Sequence, residues 1–197
     1  MGTDKALTVL AGRPLVAYAV EVLKQAGLKA SIVGARAELA AFGSVIKDAG
    51  VGPLGGICAG LASTDCELSV FLPVDLPLLP SSLIAVLLDH ARTTGAAVTV
   101  PSVNGFAQTF PAVLDRELLA PLRAALENGK GGCFEGFKSA AAETGKPMRV
   151  LPMEMLVQAG QVGQPDGLPA ATWFLNVNRP DDLARAESLI VPANRVS

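Results

Sequence analysis

Short apolar runs typical of buried strands alternate with amphipathic runs typical of helices along the whole chain. This alternation constrains the fold most, because parallel strands need crossover connections and those connections are usually helices. It predicts an α/β fold, a three-layer sandwich in which helices cover both faces of a mostly parallel sheet. The 197 residues suit one such domain with a complete hydrophobic core, so we expect a single domain over residues 1–197.

The individual elements follow from the same periodicities. The clearest helix is predicted at residues 14–26, where Gly27 can adopt the left-handed conformation that ends a helix. The run at 68–72 is apolar except for Ser69, which favours a central parallel strand covered on both faces. Other predicted helices lie at 38–42, 57–62, 81–91, 115–128 and 180–189, other strands at 30–33, 45–46, 97–100, 108–114, 148–151 and 173–177, and a mobile loop at 129–145.

Composition excludes several classes of function. Lys and Arg total 16 against 18 Asp and Glu, and like charges form no block, so we expect no nucleic-acid partner. Half of the residues are hydrophobic, yet no uncharged apolar run approaches the roughly 18 residues that cross a bilayer. The chain start shows no signal-peptide pattern. We therefore expect a soluble, cytoplasmic protein with no membrane partner.

The cysteines and the histidine do not suggest a reactive centre. Cys58, Cys66 and Cys133 are odd in number and lack a C-x-x-C spacing, so neither a zinc site nor a disulfide framework is indicated. His90 is the only histidine and is predicted to lie on a helix surface. Chemistry built on a histidine base or a histidine-rich metal site is therefore disfavoured.

Two glycine-led turns could approach a ligand. The first, M-G-T-D-K-A, contains Lys5, which is a candidate phosphate contact or a solvated charge. The second, G-P-L-G-G-I at residues 52–57, follows Asp48 and precedes an apolar helix. Glycine permits close backbone approach, and the free N–H groups of a helix start can face an anion. A tight turn that serves only helix packing is the alternative for the second.

Two polar clusters follow predicted strands. Asp75 lies in L-P-V-D-L-P at the end of the most hydrophobic strand, where it is a candidate Mg²⁺ ligand or the cap of a turn. Asn176 and Asn178 lie in N-V-N-R-P-D-D-L, where Asn178 could contact a ligand or cap the final helix, with Asp181 and Asp182 complementing the helix dipole. Ligands of open α/β sheets bind at this carboxyl edge of the strands, so we expect one shared cleft.

Taken in order, these motifs resemble those of the MobA-like nucleotidyltransferases, in particular the molybdenum cofactor guanylyltransferases. M-G-T-D-K-A is similar to the end of the family signature L-A-G-G-x-S-x-R-M-G-x-D-K. G-P-L-G-G-I-C-A-G-L resembles G-P-L-A-G-I-x-x-G-L, P-V-D-L-P-L-L-P resembles P-C-D-T-P-x-L-P, and F-L-N-V-N-R-P-D-D-L resembles F-x-N-x-N-T-P-E-D-L. The resemblance runs collinearly from Met1 to about Leu189. It implies a Rossmann-like sheet of the nucleotide-diphospho-sugar transferase type.

The resemblance also implies roles for individual residues. Lys5 and Asp75 correspond to the catalytic positions, the lysine contacting the nucleotide phosphates and the aspartate binding Mg²⁺, the one implied cofactor. Asn176 and Asn178 fall on the side of the cleft that binds the acceptor. The implied nucleotide-binding residues are Lys5, Asp48, Pro53, Leu54, Gly55 and Asp75.

The chain departs from the family pattern in two ways. The family's glycine-rich phosphate loop belongs just before Met1 and is not in this sequence, so we expect either an upstream start or further residues that this sequence does not include. Without that segment the sheet would lack a central strand. Single positions also differ from common family residues: Ala35, Val74, Leu76, Gly131, Gly132 and Arg179.

The reaction implied by the resemblance is the transfer of GMP from GTP to molybdopterin with release of pyrophosphate. Transient contacts with molybdenum cofactor enzymes or chaperones are expected partners. Alternatives are a related transferase that uses CTP or a sugar or alcohol phosphate acceptor, and a non-catalytic nucleotide-binding protein. An α/β oxidoreductase is disfavoured because no G-x-G-x-x-G follows a strand.

Overall fold

A computed structural model describes residues 5–48, 50–129, 132–163 and 168–190 of the chain. Helices pack on both faces of a central sheet, and the strand at 112–115 shows this most directly. Ala112 and Leu114 face one hydrophobic cluster, whereas Val113 faces another on the opposite side. Because successive strand side chains point to opposite faces, this strand is covered on both sides. The predicted layered α/β class is therefore confirmed.

The strands and helices are numbered here in chain order. The strands are β1 (Val9–Leu10), β2 (Arg13–Pro14), β3 (Ser31–Val33), β4 (Ser44–Ile46), β5 (Leu68–Phe71), β6 (Val98–Val103), β7 (Phe106–Ala107), β8 (Ala112–Asp115) and β9 (Met148–Pro152). The α-helices are α1 (Leu15–Gln25), α2 (Pro53–Ala62), α3 (Ser81–Thr94), α4 (Leu119–Glu127), α5 (Cys133–Thr144), α6 (Met153–Gln158), α7 (Ala170–Trp173) and α8 (Pro180–Ile190). Short 3₁₀ turns occupy Lys5–Leu7, Ala37–Ala41 and Arg116–Leu118.

The sheet is mixed. Parallel pairing joins β3 to β4 and β6 to β9, whereas β8 pairs antiparallel with both β5 and β6. The strand predicted at 68–72 corresponds to β5, but it is neither central nor parallel to its partner. Within the described residues β5 pairs on one side only, and its four residues are half-buried. The apolar composition correctly indicated that this strand is at least partly buried. It could not indicate whether the neighbouring strand runs parallel or antiparallel.

Two further sequence predictions are wrong. The expected loop at 129–145 contains helix α5, whose buried Phe137, Ala140 and Ala141 recur at helical spacing and pack into the core. The expected strand at 173–177 does not form: α7 ends at Trp173, and residues 174–177 contain no strand. The Trp173 indole Nε1 donates a hydrogen bond to the carbonyl of Leu168, 3.0 Å away, and the ring is buried. A buried indole with a satisfied N–H stabilises this compact turn over an extended segment.

Most other elements lie where they were predicted. Helix α1 ends before Gly27, which has the left-handed φ of +77° expected of a residue that follows a helix. His90 is half-buried rather than fully exposed, and its Nδ1 is buried without a hydrogen-bond partner among the described atoms. No helix in the described parts of the chain is long and apolar enough to span a membrane.

A groove of about 1400 Å³ separates β3 from β5. Its walls are the apolar residues of the two strands together with side chains from α1 and α2. In the described residues β3 and β5 belong to separate sheets, so two strand edges face the groove. The groove also reaches Asp48, Pro53, Asp75 and Asn176, which come from three separate regions of the sequence.

Candidate functional site

Asp75 follows β5 after a short turn and lies in the wall of the groove. The residues after it, including Leu76, are buried in the core beneath α3, which anchors the segment. The Asp75 carbonyl accepts a hydrogen bond from the N–H of Val177, 2.8 Å away. The Asp75 side chain remains 17% exposed. Its backbone is therefore held by a hydrogen bond and by buried neighbours, and its carboxylate can still contact a ligand.

Lys5 lies beside Asp75. It begins the first 3₁₀ turn, in which Ala6 is buried against α1 and β3 while the Lys5 side chain stays half-exposed. The Lys5 ammonium lies 3.4 Å from Asp75 Oδ2. A partly exposed ion pair of this kind contributes little to the free energy of unfolding. The Lys5–Asp75 pair is therefore more informative about ligand binding, because it lies beside the groove.

The Lys5 ammonium also donates a hydrogen bond to Asn178 Oδ1. Asn178 Nδ2 in turn donates to Asn176 Oδ1 at 2.5 Å. Both asparagines belong to the segment that connects α7 to α8. The structure thus brings four predicted site residues into one connected cluster: Lys5, Asp75, Asn176 and Asn178.

Asp48 and the start of α2 form the second part of the groove wall. Gly52 precedes the helix with φ of +83°, a left-handed value that favours glycine, and Pro53 occupies its first turn. A Cβ placed on Gly56 would lie 3.6 Å from Asp48 Oδ2, so the Asp48 carboxylate lies close to the first turn of α2. The predicted glycine turn is therefore mostly helical, and the backbone of the α2 start lies beside a half-buried carboxylate.

Leu54 and Gly55 occupy a different position from the other predicted nucleotide contacts. Both residues are buried, and Leu54 belongs to the hydrophobic core between α2, α4 and α5. A Cβ on Gly55 would lie 2.5 Å from a methyl group of Val51. The Leu54 side chain packs inside the fold, so these two residues can contact a ligand only through backbone atoms.

The charges at the groove favour binding of a cation and a phosphate together. Asp48 and Asp75 supply carboxylates, and Lys5 supplies the ammonium group next to Asp75. In the described residues no three His, Cys, Asp or Glu side chains cluster as a metal site.

Cys58, on the core face of α2, is buried, and this burial raises the pKa of its thiol above the usual value. It is therefore poorly suited to be a nucleophile.

Sequence reasoning missed one residue next to this cluster. Asp182 was expected only to complement the dipole of the last helix, and Asn178 was a candidate for its cap. In the structure Asp182 Oδ2 accepts hydrogen bonds from the N–H groups of Asn178 and Arg179, at 3.1 and 2.9 Å. The Asn178 side chain instead contacts Lys5. Asp182 lies three residues after Arg179, the residue that precedes α8, and this spacing of an acid could have indicated the arrangement.

Sequence comparison identifies relatives over most of the chain. Residues 1–143 match the family described as the MobA-like NTP transferase domain. A molybdenum cofactor guanylyltransferase of Cereibacter sphaeroides is 34% identical over 197 residues, covering 96% of this chain and 89% of the relative. The corresponding protein of Xanthomonas euvesicatoria is 42% identical over 90 residues, covering 45% of this chain and 47% of the relative.

Two solved structures share the fold. Molybdopterin-guanine dinucleotide biosynthesis protein A from Archaeoglobus fulgidus superposes with a TM-score of 0.75 at 21% identity, covering 96% of this chain and 91% of that one. The 2-C-methyl-D-erythritol 4-phosphate cytidylyltransferase from Thermus thermophilus superposes with a TM-score of 0.69 at 16% identity, covering 95% and 94%. At these identities the likeness establishes the fold alone.

Proposed function

The chain belongs to the MobA-like NTP transferase family, and from that premise we propose that it transfers GMP from GTP to molybdopterin with release of pyrophosphate. The similarity to guanylyltransferases over nearly the whole chain supports the choice of substrates. One structural observation supports the assignment of the site: Lys5 and Asp75 meet beside a groove whose wall also contains Asp48 and the start of α2.

In the proposed reaction a terminal phosphate oxygen of molybdopterin attacks the α-phosphorus of GTP. The new oxygen–phosphorus bond forms as the bond from the α-phosphorus to the bridging oxygen of the β-phosphate breaks, and pyrophosphate leaves with that oxygen. Phosphoryl-type transfer depends mainly on positioning and on neutralisation of negative charge. Such a reaction therefore does not require a histidine base or a catalytic triad.

Lys5 offsets charge on the phosphates in this proposal. Its ammonium is half-exposed at the edge of the groove, so it can reach a nucleotide phosphate while Asn178 keeps it on this side of the cleft. Lysine is a compact, flexible positive charge and is suited to follow the negative charge that accumulates on the leaving pyrophosphate.

Asp75 is proposed to bind Mg²⁺. Its carboxylate oxygen already contacts a cationic group, the Lys5 ammonium, which indicates that this oxygen favours a positive neighbour. Mg²⁺ is commonly held by one or two carboxylates together with phosphate oxygens and water, so a site with one aspartate and no dense acidic cluster fits it. When bound, the ion would polarise the phosphoryl oxygen and neutralise its charge.

Asp48 is proposed to recognise the base. A half-buried carboxylate beside the first turn of α2 has only acceptor oxygens. Guanine presents two adjacent N–H donors on its Watson–Crick edge, N1–H and the N2 amino group, and the two oxygens of one carboxylate can accept from both. The corresponding edges of cytosine, adenine and uracil each present a single donor group. An acceptor at this place therefore favours guanine.

The proposal is tested by incubating the full natural protein with GTP, Mg²⁺ and molybdopterin and following pyrophosphate and the dinucleotide by mass spectrometry. Pyrophosphate release that requires molybdopterin and matches the amount of dinucleotide supports it. Reactions with a sugar phosphate or an alcohol phosphate in place of molybdopterin are the matched controls. Transfer to one of these acceptors and not to molybdopterin would contradict the proposal.

A further inference from the structure

The start of the last helix is connected to Lys5 through a short series of hydrogen bonds. Lys5 donates to Asn178 Oδ1, and the two residues are separated by 173 positions in the sequence. The N–H of Val177, the residue before Asn178, donates to the Asp75 carbonyl at 2.8 Å. The segment that carries the asparagines is therefore fixed to Asp75 by its backbone and to Lys5 by a side chain.

The orientation of the Asn178 amide follows from its two partners. A lysine ammonium can only donate hydrogen bonds, so the oxygen of the amide must face Lys5. The amide nitrogen then faces Asn176 Oδ1, at 2.5 Å, which can only accept. Both contacts favour the same orientation, so Asn178 presents a defined acceptor to Lys5.

Asp182 fixes the backbone from which Asn178 projects. Its Oδ2 accepts from the N–H of Asn178 at 3.1 Å and from the N–H of Arg179 at 2.9 Å. These two N–H groups precede α8, which begins at Pro180, and proline has no N–H of its own to offer. One carboxylate oxygen thus holds two successive peptide units on the approach to the helix.

We propose that Asp182 is a positioning residue for Lys5. Through the backbone of Asn178 and Arg179 it holds the Asn178 amide where Lys5 donates to it, and so keeps the ammonium beside Asp75. Its consequence for catalysis rests on the proposed function, whereas its effect on Lys5 does not. Asp182 is half-buried and lies outside the groove wall, so the proposal assigns it no contact with substrate.

The proposal differs from an ordinary helix cap. A carboxylate in the first turn stabilises any helix through its dipole, and Asp181 supplies a second acid in the same turn. If Asp182 acted only on the helix, its loss would change the stability of α8 and leave the environment of Lys5 unchanged. If it positions Lys5, its loss frees the ammonium group.

The reactivity of Lys5 measures this directly without any nucleotide. A brief, low-dose acetylation of the folded full-length protein is followed by mass spectrometry, and the rate at Lys5 is divided by the rate at Lys24, an exposed lysine of α1. An ammonium that donates to both Asn178 and Asp75 reacts more slowly than a free one, because its nitrogen is engaged. Asp182→Ala is expected to raise the ratio several-fold.

Three matched variants complete the experiment. Asp182→Asn retains an oxygen that can accept from both N–H groups and is expected to restore the wild-type ratio. Asp181→Ala removes the other acid of the turn and is expected to leave the ratio unchanged. Asn178→Ala removes the acceptor itself and leaves Asp182 in place, so it is expected to raise the ratio even if Asp182→Ala does not fold.

An unchanged ratio in Asp182→Ala, or in Asn178→Ala, would overturn the proposal. An equal rise in Asp181→Ala would also overturn it, because that result assigns the effect to the helix dipole. If the protein transfers GMP, Asp182→Ala should also lower kcat by about tenfold to a hundredfold with little change in the KM for GTP, as expected of a displaced group. Failure to transfer GMP would reject the proposed function and leave the acetylation result standing.

Discussion

Lys5 Nζ lies 3.4 Å from Asp75 Oδ2, although 70 residues separate the two along the chain. The two residues belong to different elements of the fold. Lys5 begins the 3₁₀ turn that packs against α1, whereas Asp75 follows the end of β5. Because the two side chains come together beside the groove, two motifs that are far apart in the sequence form one candidate site.

The first prediction concerns Asp75. In Asp75→Asn the side chain keeps its shape and loses its charge, so Mg²⁺ binding should weaken and the transfer rate at low Mg²⁺ should fall by about a hundredfold, the effect of losing one charged group of the site. High Mg²⁺ should restore part of the rate. Stability should change by less than about 1 kcal/mol, since the Lys5 partner is half-exposed. Full activity at low Mg²⁺ would show that Asp75 only caps its turn.

The second prediction concerns Asp48. Asp48→Asn replaces one of two acceptor oxygens by a donor, so the KM for GTP should rise by about tenfold or more, the size of one lost base contact. The KM for molybdopterin should remain close to that of the wild type, because Asp48 lies beside α2 and not beside the asparagines. Steady-state kinetics with each substrate varied in turn gives both values. An equal rise in the KM values for both substrates would show that Asp48 does not recognise the base.

The third prediction concerns stability away from the groove. Lys146 Nζ lies 2.7 Å from Asp115 Oδ2 and 3.0 Å from Glu117 Oε2, and the Asp115 carboxylate is almost fully buried. Lys146→Met should lower the free energy of unfolding by about 1 to 3 kcal/mol, because a buried carboxylate loses a charged partner. The matched control is Lys138→Met, whose partner Glu135 is exposed and whose loss should cost no more than about 0.5 kcal/mol.

The pH dependence of that stability has a defined sign. The hydrogen bond to Asp115, and then the one to Glu117, raise the pKa of Lys146 above its usual value. A group whose pKa is higher in the folded state stabilises the fold below its unfolded pKa, which for lysine is about 10.4, and loses that contribution as the pH rises through the folded pKa. Urea unfolding at increasing alkaline pH should therefore show wild type and Lys146→Met converging. Divergence with rising pH would contradict the account.

The fourth prediction concerns the cysteines. Burial raises the pKa of Cys58 and of Cys133 above the usual value, so each has little thiolate near neutral pH, whereas Cys66 is exposed. Iodoacetamide should modify Cys66 first in the folded protein and all three residues at similar rates in urea. Peptide mass spectrometry resolves the order. Modification of Cys58 as fast as Cys66 in the native state would show that α2 does not pack as described.

The sequence predicted those features that depend on local periodicity. Helices α1, α3 and α8 were found because their apolar residues recur at helical spacing, and Gly27 marked the end of α1. The location of Asp75 after an apolar strand was also visible in the sequence. These features arise from neighbours within a few residues, which is the range over which sequence patterns are informative.

Features that depend on distant partners were not predictable in this way. The antiparallel pairing of β5 with β8 is set by residues 112–115, and nothing within β5 records the direction of its partner. Helix α5 was hidden by the glycines around it, although Phe137 and Ala141 bury one face. The contact of Asn178 with Lys5 joins opposite ends of the chain. The predictions for Gly131 and for the first four residues lie outside the described part of the chain.

The central claim is that this chain transfers a guanylyl group. Its most direct test is competition among GTP, CTP, ATP and UTP at equal concentration, with Mg²⁺ and molybdopterin present and the dinucleotide products separated by mass. Molybdopterin guanine dinucleotide is the expected dominant product of the wild type, and Asp48→Asn is expected to lose this preference. A cytosine dinucleotide as the main product, or no dinucleotide from any of the four nucleotides, would contradict it.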